Sequence, residues 1–320
     1  MSDTTAAAPR RNWTAGDIAR DYGVLIIIAI LVVGLSFASD SFLTARNLLN
    51  ILNQSAPLAI MACALTFVII GGDFDLSTGA VFGVAAVSAG WIAINIDPYL
   101  AIIAAPVIGL ILGTVNGLII TGFGVHSFLV TLATALVFRG LSILITDGRL
   151  IPVRIEEFSW LGRGKIGMVN YAVIMMFVIM GALMFLLNRT TFGRAVFAVG
   201  GNNEAALLSG IRTKLVKVLT FALSGAAAGF AGVITVSRIS MAEPQAGAGL
   251  EFEAIAAVIL GGTSIMGGAG AIWRSLAGVL LVALIGNGFN ILNVNPFFKD
   301  LTTGVIIVIA VAMAASRGKR

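Results

Sequence analysis

Long apolar runs broken by short polar punctuation fill this chain from about residue 22 to residue 315. Read by hydropathy, they predict spans at about 22–38, 50–70, 76–95, 99–121 and 127–145. A polar stretch from Thr146 to Met168 follows, then a span at 169–188 and the longest basic loop, 189–216. Four further spans are predicted at 217–237, 252–266, 274–293 and 299–315, of which 252–266 is short and ends in glycine. A membrane-crossing helix needs about 20 apolar residues, and these runs supply that length. The expected fold is all-α and polytopic, with about ten transmembrane helices. It divides into an N-terminal segment 1–21, one membrane domain 22–315 and a short tail 316–320.

The places where the apolar pattern fails carry the chemistry. Gly71-Gly72-Asp73-Phe74-Asp75-Leu76-Ser77-Thr78-Gly79 sets two carboxylates between runs that have no charge for many residues on either side. A charge at the bilayer centre costs roughly 2.5–3.5 kcal/mol on insertion scales, so a pair retained there points to use. The glycines free backbone at the same depth, which is tolerated only inside protein or along a cavity. Together these features point to a permeation pathway. The pattern has an echo, because Val68-Ile69-Ile70-Gly71-Gly72 reappears as Val258-Ile259-Leu260-Gly261-Gly262. Asn116-Gly117 ahead of Val125 and Phe128 is matched by Asn287-Gly288 ahead of Val294 and Phe297. An odd number of predicted spans separates the copies, and the expectation is an inverted repeat, whose interrupted segments mark a transporter's central site.

Composition supports the membrane assignment: 58% of residues are hydrophobic, 11% are charged and the mean hydropathy is +1.03. Soluble domains carry roughly 25% charge. The 38 glycines lie inside the apolar runs, where they suit close helix packing. The net charge of +5 does not indicate nucleic-acid binding, because the basic residues stand in short loops beside the spans. With a cytoplasmic amino terminus, the loop holding Arg189, Arg194, Arg212, Lys214 and Lys217 is cytoplasmic, and so is the tail with Arg317, Lys319 and Arg320. The loop with Arg149, Arg154, Arg163 and Lys165 then falls outside, against the rule, although it also carries Asp147, Glu156 and Glu157. Both termini are expected on the cytoplasmic side. The run from Tyr22 to Ala38 has no clear small-residue cleavage site and reads as a retained helix. Cys63 reads as a small core residue, and one cysteine allows no disulfide within the chain. One histidine and one cysteine make a membrane-embedded enzyme a poor reading. No Gly-x-x-x-x-Gly-Lys-Ser/Thr loop is present, so energy has to come from a partner or an ion gradient.

The basic loop contains Phe192-Gly193-Arg194-Ala195-Val196-Phe197-Ala198-Val199-Gly200-Gly201-Asn202-Asn203-Glu204-Ala205-Ala206-Leu207-Leu208-Ser209-Gly210-Ile211. Gly201-Asn202-Asn203 reads as a helix start, and a short helix between two spans gives another protein a surface to push on. With the glycine break, with Gly113-Thr114-Val115-Asn116-Gly117 and with Ser127-Phe128-Leu129-Val130-Thr131-Leu132-Ala133-Thr134, this loop resembles the permease subunit of ribose-type bacterial ATP-binding-cassette (ABC) importers. The block from Glu253 to Gly270 completes the resemblance, which covers about 45–315. The family commonly reads Gly-Gly-Ile-Asp-Leu-Ser-Val-Gly at the break, where this chain carries one residue more and the extra acid Asp73; His126 stands where proline is frequent.

The resemblance implies a subunit that translocates a monosaccharide or related polyol across the bacterial inner membrane without performing catalysis. It implies a cytoplasmic ATPase partner that uses ATP–Mg, a periplasmic sugar-binding protein and a second permease copy, most simply a homodimer. The chain itself would bind no cofactor, nucleic acid or metal, and its surroundings are the lipid bilayer. The residues expected along the substrate pathway are Asp73, Asp75, Ser77, Asn116, Phe128, Asn287 and Asn290, whose amides, hydroxyls, carboxylates and aromatic face suit a neutral sugar. The expected ATPase-coupling residues are Gly193, Arg194, Gly200, Gly201, Asn203, Glu204, Ala205, Ser209 and Gly210. Structural alternatives stand beside these assignments. Asp75 can cap the third span with Ser77 in its first turn, the asparagines can bond between helices, and Phe128 can simply pack. Arg139 and Arg274 are expected to snorkel to the interface, and Glu251 and Glu253 to favour a helix N-terminus. The competing function is an ion-coupled secondary transporter with Asp73 and Asp75 as its coupling site.

Overall fold

The computed structural model describes residues 15–295 together with 298, 301, 302, 304, 305 and 308, with side chains from residue 23 onward. Helices α1 (Ala15–Ala38), α2 (Ala45–Ile70), α3 (Thr78–Asn95), α4 (Pro98–Phe123) and α5 (Ser127–Thr146) come first. Strand β1 (Ile151–Pro152), helix α6 (Glu156–Arg163) and strands β2 (Lys165–Ile166) and β3 (Val169–Asn170) follow. Next are α7 (Tyr171–Arg189), α8 (Thr191–Gly201), α9 (Asn203–Leu208) and α10 (Thr213–Ile239), then strand β4 (Met241–Ala242), α11 (Leu250–Leu260) and α12 (Ile272–Ile291). Local chemistry sets several ends. Asp97 accepts the Leu100 N–H at 2.7 Å with Pro98 in the first helical position of α4, and Thr44 caps α2 through the Asn47 N–H.

Among the described residues seven helices, α2, α3, α4, α5, α7, α10 and α12, are long and apolar enough to cross a membrane. Two further predicted spans are shorter helices. The described apolar part of α1 is Gly23–Ala38, within the span predicted at 22–38, and the span predicted at 252–266 holds the 11-residue α11. At 1.5 Å per residue α11 reaches about 16 Å, half of a bilayer core about 30 Å thick. The span predicted at 299–315 lies for the most part outside the described residues, as do residues 1–14 of the N-terminal segment and the tail 316–320. The all-α expectation meets a small exception, since β1 pairs antiparallel with β4, and β2 with β3.

Two glycine-lined helices form the centre. Along the antiparallel pair α4 and α10, Gly109 lies on Gly225, Gly113 on Phe221, Gly117 on Val218 and Ala105 on Gly229, backbone against backbone. A Cβ at Gly109 would strike the Gly225 carbonyl, and one at Gly225 would strike that of Gly109. Small residues recurring every four positions on both partners are the membrane solution to helix association, where lipid offers no hydrophobic drive. α2 is buried on all sides from Ser55 to Ile70, as an all-apolar helix has to be.

The helices define two ends of the bundle. α2 finishes against Gly200 of α8, so α8 and α9 mark one end, called here the loop face. The opposite, far face carries β1, α6 and the β2–β3 hairpin, to which the C-terminus of α10 is tied. There the Val153 N–H donates to Ser240 O at 2.9 Å, and the Gly162 N–H donates to Ser237 Oγ at 2.8 Å. From β4 the chain turns back into the bundle without a helix. Ala242 touches Gly90, the Pro244 carbonyl lies on Gly83 and that of Gly247 on Gly79, so residues 243–249 descend as a series of tight turns along the glycine stripe of α3 before α11 begins.

The two sequence echoes that suggested an inverted repeat differ in their relative direction. Gly72 and Gly262 both adopt left-handed φ, +81° and +89°, and close α2 and α11 with the same pair of hydrogen bonds. Both helices run toward the loop face, because the Gly268 N–H donates to Ile70 O at 2.8 Å and Ser275, beside Gly261, meets Thr66 at 2.7 Å. The Asn-Gly pair differs, with Asn116 on a helix running to the loop face and Asn287 on one running to the far face. One two-fold inversion cannot relate both echoes.

The glycine ladder yields a paired expectation. Gly225→Ala in α10 should destabilise the protein by about 1–3 kcal/mol through overpacking, whereas Gly122→Ala, where nothing lies within 4 Å, should be neutral or slightly stabilising. Thermal unfolding in detergent measures both, and equal midpoints for the two variants would contradict the ladder.

Candidate functional site

The break between α2 and α3 is held by side chains arriving from three helices. After Gly72 turns the chain, the Asp73 N–H donates back to Val68 O at 3.1 Å, ending α2. The next free N–H groups leave helical pairing and find hydroxyls on α5: Phe74 N–H donates to Ser127 Oγ and Leu76 N–H to Thr131 Oγ1, both at 3.1 Å. Ser127 and Thr131 stand four apart on one face of α5, which lays both acceptors along the extended segment.

Asp75 is the hub. Its Oδ1 accepts the Ser77 N–H at 3.0 Å and the Ser77 hydroxyl at 2.6 Å, while Oδ2 accepts from Ser224 of α10 at 2.9 Å. Asn116 of α4 donates its Nδ2–H to Ser77 Oγ at 2.7 Å. Asp75, Ser77, Asn116 and Ser224 are each at most 1% exposed, so this is an interior network linking α3, α4 and α10. The Asn116 Oδ1 accepts no hydrogen bond. A buried carboxylate is tolerable when its oxygens are hydrogen-bonded, and here both are.

The other expected pathway residues lie elsewhere. Asp73 forms an ion pair with Lys217 of α10, Oδ2 to Nζ at 2.9 Å. Phe128 is exposed on the outer side of α5. Asn287 exchanges two amide hydrogen bonds with Asn47 at the far face, at 2.9 and 3.2 Å. Asn290 is exposed near the end of α12. A cavity of about 670 Å³ opens beside the Asn47 pair, lined in part by Arg46, Asn50, Asn53, Lys165 and Asn170. The structure thus gathers Asp75, Ser77 and Asn116, sets Asp73 beside them and disperses the rest. Ser224, Lys217, Ser127 and Thr131 were not among the expected site residues. Their signal was a hydroxyl or a cation within an otherwise apolar helix.

The basic loop folds as α8 and α9. Asn202 Oδ1 caps α9 by accepting the Ala205 N–H at 2.9 Å, so the predicted helix start is present. Gly193 packs against the Leu187 carbonyl. Gly200 sits where a Cβ would strike the Ile70 carbonyl and would crowd the Gly268 nitrogen. Arg194, Gly201, Asn203, Glu204, Ala205, Ser209 and Gly210 are exposed, as are Leu207 and Leu208, the latter at 84%. The outward surface is therefore mixed polar and apolar, while the inner side rests on the end of α2 and on the glycine turn after α11.

Residues 47–311 match the family described as the branched-chain amino acid transport system permease component. The chain belongs to this family of membrane permeases. It is 42% identical over 299 residues to the ribose import permease protein RbsC of Bacillus subtilis, covering 92% of this chain and 93% of that one. It is 37% identical over 292 residues to RbsC of Escherichia coli strain K12, covering 90% and 91%. It is 36% identical over 296 residues to the D-allose transport system permease protein AlsC of the same strain, covering 91% and 90%. No solved structure matches the chain. In a transport subunit the break and the α8–α9 surface are to be judged by what they hold and what they expose.

The Asp75 network predicts a graded response to mutation. Asp75→Ala strands the hydroxyls of Ser77 and Ser224 and should cost about 1–3 kcal/mol for each partner left unpaired. Asp73→Asn keeps an amide in place of the buried carboxylate and leaves Lys217, whose side chain is 24% exposed, able to turn to water, so it should cost less than Asp75→Ala. Unfolding midpoints in micelles measure the difference, and a milder effect at Asp75 than at Asp73 would contradict the hub.

Proposed function

We propose that this chain is the transmembrane subunit of an ATP-driven ABC importer carrying a monosaccharide or related polyol across the bacterial inner membrane. The observation that carries the reading is similarity over about nine-tenths of both chains to permeases named for ribose and D-allose import. A permease named for L-arabinose transport, 33% identical over 97% of this chain, extends the sugar series. On this reading the loop face is cytoplasmic, with both termini on that side, and the far face is periplasmic. Of the far-face bases, Arg163 is held locally, its Nε donating to Arg238 O at 2.8 Å.

The partner ATPase docks on α8 and α9, through Arg194, Asn203, Glu204, Ala205, Ser209 and Gly210 with the exposed leucines among them. It supplies the ATP–Mg chemistry, and the chain itself binds no cofactor. Gly193 and Gly200 allow the close seating of α8, and Gly201 lies on its exposed side. A binding protein delivers sugar at the far face, and a second permease copy completes the pathway. Asp75, Ser77 and Asn116, with Asp73 at their edge, hold the break in shape beside that pathway, while Asn287 and Asn290 serve its far-face half. Both acids of the break have partners within the protein, which favours this reading over ion coupling through Asp73 and Asp75.

Reconstitution with the partner ATPase and binding protein tests the proposal. Uptake of D-ribose, D-allose or L-arabinose should require ATP and survive a proton ionophore. Glu204→Lys combined with Arg194→Glu should lower ATP-driven uptake at least about tenfold, roughly 1.4 kcal/mol of docking free energy, without lowering the unfolding midpoint. Uptake that collapses with the proton gradient would replace the importer by a secondary transporter.

A further inference from the structure

Arg139 stands twelve residues after Ser127 and seven before Thr146, deep within α5. Snorkelling was the expectation, yet the side chain cannot readily reach the nearer, far end. A helical Cα–Cβ bond leans toward the N-terminus, which for α5 is the loop face, so the guanidinium is directed back to the centre of the bundle. It lies 3.6 Å from Glu251 of α11, Nη2 to Oε1, with the arginine side chain 37% exposed and the carboxylate side chain 6% exposed. That separation is an ion pair without a short hydrogen bond, and it leaves guanidinium N–H donors unused. The Glu251 Oε2, pressed against Gly79 of α3, accepts no hydrogen bond.

A second observation bears on the same surface. The turn segment 243–249 lies beside α5, joined to it by the Ser142 hydroxyl, which donates to Pro244 O at 2.8 Å. This non-helical backbone runs at membrane depth and leaves Glu243, Gln245 and Ala248 exposed. Its turns pair part of the backbone internally, with the Ala246 N–H donating to Glu243 O and the Ala248 N–H to Gln245 O. Lipid satisfies neither the exposed Glu243 and Gln245 side chains nor an arginine, whereas water or protein satisfies them. α4 turns Ile103, Leu110 and Leu118 outward and α7 turns out Phe177, Val178 and Phe185, whereas the outward face of α5 adds Arg139 to its apolar positions. On α5 the exposed positions Phe128, Leu132, Leu136 and Ile143 align with Arg139 at spacings of three and four, placing an aromatic ring about three turns below the cation.

We propose that this face of α5, with the turn segment 243–249 beside it, lines the route of the transported polyol, and that Arg139, held from behind by Glu251, donates hydrogen bonds to its hydroxyls. A planar guanidinium with several N–H donors fits adjacent hydroxyls, and an apolar wall with one ring fits the C–H faces of a sugar. The second permease copy closes the route from the other side. The proposal rests on the importer reading for its substrate, but its geometry is tested without one.

Cysteine labelling of the reconstituted importer decides the geometry. The native Cys63 is buried, so single variants report on themselves. Leu136→Cys and Ile143→Cys should react with a charged, membrane-impermeant methanethiosulfonate at least about tenfold faster than Val178→Cys on α7, because only a hydrated thiol ionises. The sugar that is transported should slow the reaction, and modification at Leu136→Cys should block uptake with Arg139 intact. Arg139→Gln should lower kcat/KM for uptake at least about tenfold, chiefly through KM and with partial rescue by Arg139→Lys, and Glu251→Gln should do so more mildly. Thiols at 136 and 143 that react only with a lipid-soluble maleimide would overturn the proposal. So would normal uptake by a folded Arg139→Gln variant. A wild-type chain without ATP-driven sugar uptake would instead overturn the importer reading, while the labelling pattern would still decide whether the face is wet.

Discussion

Backbone contact between α4 and α10 is the constraint from which the rest of the bundle takes its positions. Hydrophobic association cannot hold two helices together in lipid, so the pair depends on the absence of side chains at Gly109, Gly113, Gly117, Gly225 and Gly229. Once α10 is pinned, its other face is fixed in rotation. Lys217 and Ser224, seven residues and two turns apart, then present their polar ends to Asp73 and Asp75 in turn. The same contact fixes Asn116, one residue before Gly117, against Ser77. The polar break is thus a consequence of the tightest apolar packing in the chain.

Much of the architecture was legible because its causes are local. Length and apolarity placed α2, α3, α4, α5, α7, α10 and α12 within a few residues of their observed limits. What escaped depends on distant partners. Two-residue strands such as β1 exist only because Met241 and Ala242 arrive some ninety positions later. The 252–266 span was misread because its descent into the membrane is made by Glu243-Pro244-Gln245, which by composition is a surface loop. Its entry depends on the glycine stripe of α3, a feature of packing. Periodicity likewise identified two echoes but not their directions, which is why one inversion seemed able to join them.

The site shows the same division. Two acids and paired glycines among apolar residues stood out, and Asp75 does lie at the centre of a network with Ser77 and Asn116. The sequence could not show that Ser224, 149 residues away, completes that network, nor that Asn287 would be spent on Asn47 at the opposite end. Arg139 and Glu251 were each read alone, one as an interfacial cation and one as a helix-start acid. Opposite charges inside apolar segments 112 residues apart are a pair only once α5 and α11 are seen side by side.

The seat of Gly200 has a mechanical meaning. Side chains between two moving parts act as springs, because rotamers absorb small displacements before passing them on. At Gly200 no side chain intervenes, and the Ile70 carbonyl against which it lies also accepts the Gly268 N–H. A shift of α8 therefore has no slack to take up. It bears at once on the end of α2 and on the turn that follows α11, so the two glycine-closed helix ends, which run the same way, are geared to move together.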